Sequence, residues 1–384
     1  MSAGILSAGL QAGGLPRQWR WALAVLAMAL SACTADKPTP TPLQDLTPKI
    51  AGSRVWDTQL GAIAFPLTVA VREGRFHLAD SSGTVVALQA DTGRELWRAN
   101  VGQKITAGVG SDGRYAAVVT QDNEVVALDS GKELWRQRVP ARAVSSPFVA
   151  GERVFVLTVD RAVHAFDVLD GRRLWVMQRP GEALTLGQSG LLTAVGNTLV
   201  VGQGPNMTGV DPLRGTVRWE VAMANPRGTN EVERLADLVG PPVRLGDVLC
   251  VRAFQASVGC ADASRGALVW TRKVGGVQAI GGDSEIIVGA DASDRITAYK
   301  RSSGELAWTT ERYLHRGLSG FLAVGRSLVA ADSEGLVHFL DRDSGEAMLR
   351  LPTDGSSIVG APTVSGTTLL VVTRKGGVFA FRPQ

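Results

Sequence analysis

From about residue 52 onward the chain is a succession of short apolar runs, none long enough for an ordinary helix and none carrying a 3.6-residue period. KITAGVG, RYAAVVT, EVVALDS and KELWRQRV follow one another between residues 104 and 139, broken only by SDG, DN and SG. Runs of this length, rich in valine and closed by turn formers, predict β-strands joined by tight turns. Four such strands return about every 40 residues, the spacing of an antiparallel four-stranded blade.

The period is also written in particular residues. ALQADTGRELW (87–97), AFDVLDGRRLW (165–175), GVDPLRGTVRW (209–219), CADASRGALVW (260–270), AYKRSSGELAW (298–308) and FLDRDSGEAML (339–349) are one unit, and ALDSGKELW (127–135) is the same unit with two turn residues fewer. A small residue opens it, a turn with glycine follows, and tryptophan closes it. Blades that radiate from an axis leave a gap that widens outward. The pattern therefore predicts small residues such as Ala87 and Ala127 toward the inside, tryptophans such as Trp97 and Trp135 as spacers on the outer strand, and Gly93 and its counterparts at positive φ in the turn between them. A tryptophan at a fixed offset in nearly every unit reads as packing rather than as a ligand platform.

The ends complete the count. GSRVWDTQLG (52–61) is the second half of a unit without the first, and GGVFAFRPQ (376–384) is a first half that stops. The expected fold is all-β: an eight-bladed β-propeller of four-stranded antiparallel blades, with the N-terminal strand as the outer strand of the last blade. Closure of that kind leaves no long open edge.

Ahead of the repeats, Arg17 and Arg20 precede the apolar run WALAVLAMAL (21–30), too short to span a bilayer and suited to a secretory signal. LSAC (30–33) follows at once and resembles the lipobox of bacterial lipoproteins, which implies lipidation of Cys33. Residues 1–32 are thus expected to be a signal peptide, 33–50 a lipidated cysteine with a Pro-rich, flexible tether, and 51–384 the propeller. Thr34 stands where inner-membrane retention uses aspartate, which by the same resemblance points to an outer-membrane anchor facing the periplasm. Two cysteines remain. Cys250 and Cys260 flank a short turn on one expected hairpin, and an oxidising compartment allows either a disulfide or two small buried hydrophobes.

Composition removes several functions. The net charge is +4 and falls to about +2 without Arg17 and Arg20, with 38 basic and 36 acidic residues scattered along the chain. There is no polybasic run for nucleic acid. His77, His164, His315 and His338 are isolated in sequence from one another and from cysteine, so no zinc set is written, and no nucleophile elbow or phosphate-binding loop occurs. No catalytic, cofactor-binding or metal-binding residue is expected.

In a four-stranded blade the turns joining first to second and third to fourth strands share one face of the ring. Here the first-to-second turns are short and alike (REGR, AGER, VGNT, LGDV, VGRS, VSGT). The opposite face is irregular and carries the longest insertion, ANPRGTNEVERLADLVGP (224–241), one blade after RPGEALTLGQSG (179–190). Leu184 and Leu186 on one loop, and Glu231, Glu233, Arg234 and Asp237 on the other, would make an apolar and charged patch, the composition of a protein-binding surface. The other reading is an inner strand start beside a solvated loop.

The unit A-x-D-x-x-T-G-x-x-x-W resembles the tryptophan-docking repeat of pyrroloquinoline quinone dehydrogenases, which implies an eight-bladed scaffold. Those enzymes also carry adjacent cysteines and a calcium set that this sequence lacks. Over essentially the whole chain the sequence is more similar to the BamB family, lipoproteins of the outer-membrane β-barrel assembly machinery. The lipobox, the tether, the half repeat at each end, TNEVERLADLVGPP (229–242), YLHRGLSG (313–320) and ADSEGLVHFLD (331–341) carry that resemblance. It implies a non-enzymatic scaffold, without cofactor, that binds the periplasmic POTRA domains of the insertase BamA, alongside the other lipoproteins of the machinery and unfolded barrel precursors. Leu184, Leu186 and Asp237 match the family's contact positions, with Glu231 and Arg234 as neighbours. Gly187 stands where a basic residue is expected and Val239 where a second acid is, which implies a less charged patch. The alternatives are a quinone-type dehydrogenase or other ligand-binding propeller, and a structural propeller with another partner.

Overall fold

The computed structural model describes residues 38–181 and 184–384. The stretch expected to be a signal peptide, residues 1–32, and Cys33 lie outside the described residues. The unit from Pro40 to Gln384 holds eight four-stranded antiparallel sheets arranged as the blades of a ring, and the described residues contain no helix. The N-terminal strand Gly52–Gln59 pairs with the C-terminal strand Gly377–Pro383, from Gly52 opposite Pro383 to Gln59 opposite Gly377, and so supplies the outer strand of blade 8. The expected closure is met in full.

The burial of each strand follows its place in the blade. The third strand of blade 1, Thr84–Gln89, has Val85 to Leu88 all buried, because neighbouring blades cover both faces of the sheet and alternation gives way to a continuous apolar run. Its outer strand, Glu95–Asn100, is mostly exposed or half-exposed. The core is therefore a set of seams between blades, filled by side chains such as Phe76, Phe155, Phe166 and Phe381.

The repeated tryptophan has two partners. The first is the small residue directly across from it in the sheet: Ala87 opposite Trp97, Ala127 opposite Trp135, Ala165 opposite Trp175, Gly209 opposite Trp219, Cys260 opposite Trp270 and Ala298 opposite Trp308. A Cβ on Gly209 would stand 2.1 Å from the Trp219 indole. In the one unit that ends in Leu349, the small residue is replaced by Phe339. Volume is conserved across the pair, so smallness seats the indole as well as fitting an inner taper.

The second partner is the third-to-fourth turn of the next blade. Trp56 Nε1 donates to Ala90 O at 2.9 Å, Trp135 to Val168 O at 2.8 Å, Trp175 to Pro212 O at 3.0 Å, Trp270 to Arg301 O at 2.7 Å and Trp308 to Arg342 O at 2.8 Å. The indole then lies against the turn glycine. A Cβ on Gly93 would meet Trp56 at 2.6 Å and one on Gly171 would meet Trp135 at the same distance. The glycine thus supplies positive φ, as expected, and also a flat pad for its neighbour's tryptophan.

Two features depart from a bare propeller. Within the expected tether, the stretch from Thr41 to Lys49 is fastened to blade 7: Thr41 N donates to Leu314 O at 2.9 Å, Lys49 N to Met348 O at 2.8 Å, and the half-buried Leu43 packs against the core cluster that contains Tyr313 and Phe321. In blade 5, Cys250 and Cys260 face each other on adjacent strands and are joined in a disulfide with a Cα separation of 4.0 Å.

Candidate protein-binding face

The two irregular loops meet on the ring face formed by the blade-to-blade connections. The first links the outer strand of blade 3, Arg173–Gln178, to the inner strand of blade 4, Leu192–Val195. The second runs from the end of Val217–Ala222 to Asp237, where the inner strand of blade 5, Leu238–Leu245, begins. The insertion expected over 224–241 is therefore shorter at its end, because Leu238 to Gly240 already belong to a strand. Pairing within that strand breaks between Val239 and Val243, where Pro241 and Pro242 have no N–H to give.

Between the loops there is a clasp. Leu186 N donates to Asp237 Oδ2 at 2.8 Å, Gly240 N donates to Ser189 O at 2.9 Å, and Gly190 bridges to Val239. Arg161, in the second-to-third turn of blade 3, fills the space beneath. Its Nη1 lies 3.5 Å from Asp237 Oδ1, its Nη2 donates to Leu184 O at 3.3 Å, and its carbonyl accepts from Gln203 Nε2 at 2.9 Å. The cleft left among Arg161, Leu186, Gln203 and Asp237 has a volume of about 50 Å³, room for little more than solvent.

This arrangement sorts the expected site residues. Leu184 is 36% exposed and Leu186 is half-buried. Glu231 and Gly187 are exposed. Asp237, expected among the contact residues, has a half-buried side chain engaged by Leu186 and Arg161, so its direct role is to hold the first loop to the second. Arg234 is half-buried and its Nη1 reaches Gly228 O at 3.3 Å within its own loop. Val239 is only 4% exposed, so an acid missing there takes nothing from the outer surface. Glu233 caps the loop by accepting from Thr229 N at 2.7 Å and Asn230 Nδ2 at 3.0 Å, and the Thr229 N–H holds its carboxyl below the usual range. Val232 is 71% exposed beside it.

Sequence reading missed Arg161 and Val232. Arg161 lies in an unremarkable VDRA turn, and its importance comes from contacts 23 and 76 residues away. Val232 was legible as an apolar residue in a polar insertion.

The middle of the same face holds a cavity of about 380 Å³ lined by segments of several blades, among them Pro66, Gly240, Gly317, Gly360 and Arg374. Among the described residues that line it, Arg374 carries the only charged side chain and none is a carboxylate. Thr68 and Ser189 hydroxyls meet at 3.2 Å from blades 1 and 4. These residues do not fit a quinone held by calcium, which needs anionic ligands. Among the described residues no group of three or more His, Cys, Asp and Glu side chains is placed to hold a metal ion.

A family model described as outer membrane protein assembly factor BamB matches residues 81–310. The outer membrane protein assembly factor BamB of Burkholderia pseudomallei is 34% identical over 370 residues, covering 94% of this chain and 97% of the relative. That of Bordetella pertussis is 31% identical over 378 residues, covering 95% and 97%. Among solved structures, BamB from Moraxella catarrhalis superposes with a TM-score of 0.78 at 20% identity, covering 86% of this chain and 99% of that one. Quinohemoprotein alcohol dehydrogenase from Comamonas testosteroni gives 0.67 at 14% identity, with coverage of 89% and 78%, a likeness of fold alone.

Proposed function

We infer the function from one premise: this chain belongs to the family of the outer membrane protein assembly factor BamB. It serves as an assembly factor at the outer membrane, a non-enzymatic scaffold anchored through Cys33 and facing the periplasm. Its partner is the string of POTRA domains of the barrel insertase, BamA, within the same machinery as the other lipoproteins. Unfolded barrel precursors pass near it. The mechanism is binding and geometry: a rigid ring presents one face, and the partner docks on that face without chemistry.

The observation that carries the site is the clasp. Leu186 N to Asp237 Oδ2 at 2.8 Å joins loops of two neighbouring blades into one surface, with Leu184 and Val232 as apolar anchors and Glu231 as a rim charge. The test is calorimetric titration of the chain from residue 34 onward against the POTRA domains of the same organism. Leu184→Glu with Val232→Glu should weaken binding tenfold or more, about 1.4 kcal/mol, without altering thermal stability. No binding by the unmodified chain would overturn the partner, and binding untouched by the double change would move the site elsewhere.

A further inference from the structure

The stretch from Thr41 to Lys49 is bonded to blade 7 and to the connection that precedes it, from one face of the ring to the other. Strand Gly52–Gln59 enters blade 8 at the face away from the candidate site, because Gly52 pairs with Pro383 while Gln59 pairs with Gly377 beside the second-to-third turn. A free tether would leave the ring there. The chain ahead of Gly52 instead runs back along the outer edge of blade 7. Near its lower end, Lys49 N bonds Met348 O and Lys49 Nζ pairs with Glu346 at 2.7 Å. Midway, Gln44 O accepts from Arg350 at 3.3 Å and the half-buried Leu43 packs against the core. At the upper end Thr41 bonds Leu314 O and gives its own carbonyl to Arg316 Nη1 at 3.1 Å.

Leu314 and Arg316 belong to the connection between blades 6 and 7, on the face that carries the clasp. Arg316 is a fixed post: it is 4% exposed, its Nε bonds Asp332 Oδ2 at 2.8 Å, and it pairs with Glu334. Asp332 also accepts from His338, which stands edge-on to Tyr313 at 4.9 Å.

We propose that residues 41–49 are an orienting strap, which transfers the exit of the anchored end from one face of the ring to the other and thereby turns the protein-binding face toward the membrane. The proposal rests on the reading of Cys33 as the lipidated residue. With the strap docked, the seven residues between Cys33 and Thr41 give a reach of roughly 28 Å at full extension. With it undocked, the chain would be free back to Gly52, on the opposite face, with a reach of roughly 65 Å. The strap therefore shortens the leash and selects its side. The partner it suits is one whose docking domain lies within that short reach of the membrane surface.

The test uses the full chain, expressed with its own leader and recovered in membranes. Hydrogen exchange at the Thr41 and Lys49 amides should be slower by tenfold or more than in an unstructured peptide of the same sequence. Thiol labels on Glu311→Cys, beside the strap's upper end, and on Arg326→Cys, in a turn on the far face, should differ in energy transfer from labelled lipid, with Glu311→Cys the closer. Leu43→Asp should release the strap and erase that difference while leaving the exchange protection of Gly52–Gln59 intact. Unprotected amides in the unmodified chain, or a label order indifferent to Leu43→Asp, would overturn the proposal. Recovery of the chain in the soluble fraction would instead overturn the anchor reading and the orientation with it, and exchange on that soluble chain would still decide whether the strap is docked.

Discussion

Leu186 and Asp237, fifty-one residues apart, are joined main chain to side chain: the Leu186 N–H points at Asp237 Oδ2 from 2.8 Å, and Arg161 closes the other side of the same carboxylate at 3.5 Å. Asp237→Ala should therefore loosen residues 184–190 and cost about 1–3 kcal/mol of stability, because the Leu186 donor and the Arg161 cation lose an acceptor. Asp237→Asn, whose amide oxygen still accepts, should retain most of the stability. Hydrogen exchange of the 184–190 segment separates the two variants. Equal loosening by both would mean that the charge, and not the acceptor, holds the loop.

The glycine pads allow a matched comparison. Gly171 and Gly74 have φ of 72° and 71°, yet a Cβ on Gly171 would meet the Trp135 indole at 2.6 Å while one on Gly74 would meet nothing within 4 Å. Gly74→Ala should cost about 1 kcal/mol for the left-handed backbone alone. Gly171→Ala should cost an additional 1–3 kcal/mol or so from overpacking against the indole. Urea midpoints at constant slope measure both, and equal losses would show that the indole moves aside freely.

Acid should destabilise the ring well before most carboxylates are protonated. Burial pushes His77 down to about 4, and it lowers His164 and His338 as well. A base whose folded value lies below its unfolded one binds fewer protons when folded, so stability is full above the ordinary histidine value and is lost as pH falls from 6.5 toward the folded value. For His77 alone the loss approaches about 3 kcal/mol by pH 4. His77→Phe should flatten that part of the profile, read as the slope of unfolding free energy against pH. An unchanged slope would remove His77 as its source.

Arg252 is a cation buried to 1% exposure whose guanidinium donates to the carbonyls of Gln278 at 2.8 Å, Gly275 at 2.8 Å and Ala290 at 2.9 Å, tying blade 5 to blade 6. Gly276 and Gly289 leave the room it needs, since a Cβ on either would stand within 2.4 Å of it. Arg252→Met should cost about 3 kcal/mol or more by stranding three carbonyls, and Arg252→Lys should recover only part of that, because one ammonium lacks the planar reach of the fork. Thermal unfolding with exchange at blades 5 and 6 checks the order of the three.

The clasp shows why the candidate site was only partly legible. Leu184, Leu186, Glu231 and Asp237 could be picked out because they stand in loops that exceed the repeat. Arg161 could not, since nothing around it in the sequence breaks the pattern. Asp237 was legible as a residue of interest but not in its direct role: a carboxylate on a long loop reads as exposed until the neighbouring blade's N–H is brought to it.

By itself the sequence determined the eight blades, their four strands, the closure of the ring by its two ends and the face on which irregular loops gather. Those are consequences of a local pattern repeated at a fixed interval: run length, turn residues and the tryptophan offset each act over a few residues, and repetition removes ambiguity. Tertiary structure alone decided what each repeated residue does for the next blade. Gly171 as a pad for Trp135, Arg161 as the support beneath Asp237, and Arg316 as the post for Thr41 are all contacts between blades or between a blade and the strap. Their partners are set by how the ring brings distant segments together, and no spacing along the chain encodes that distance.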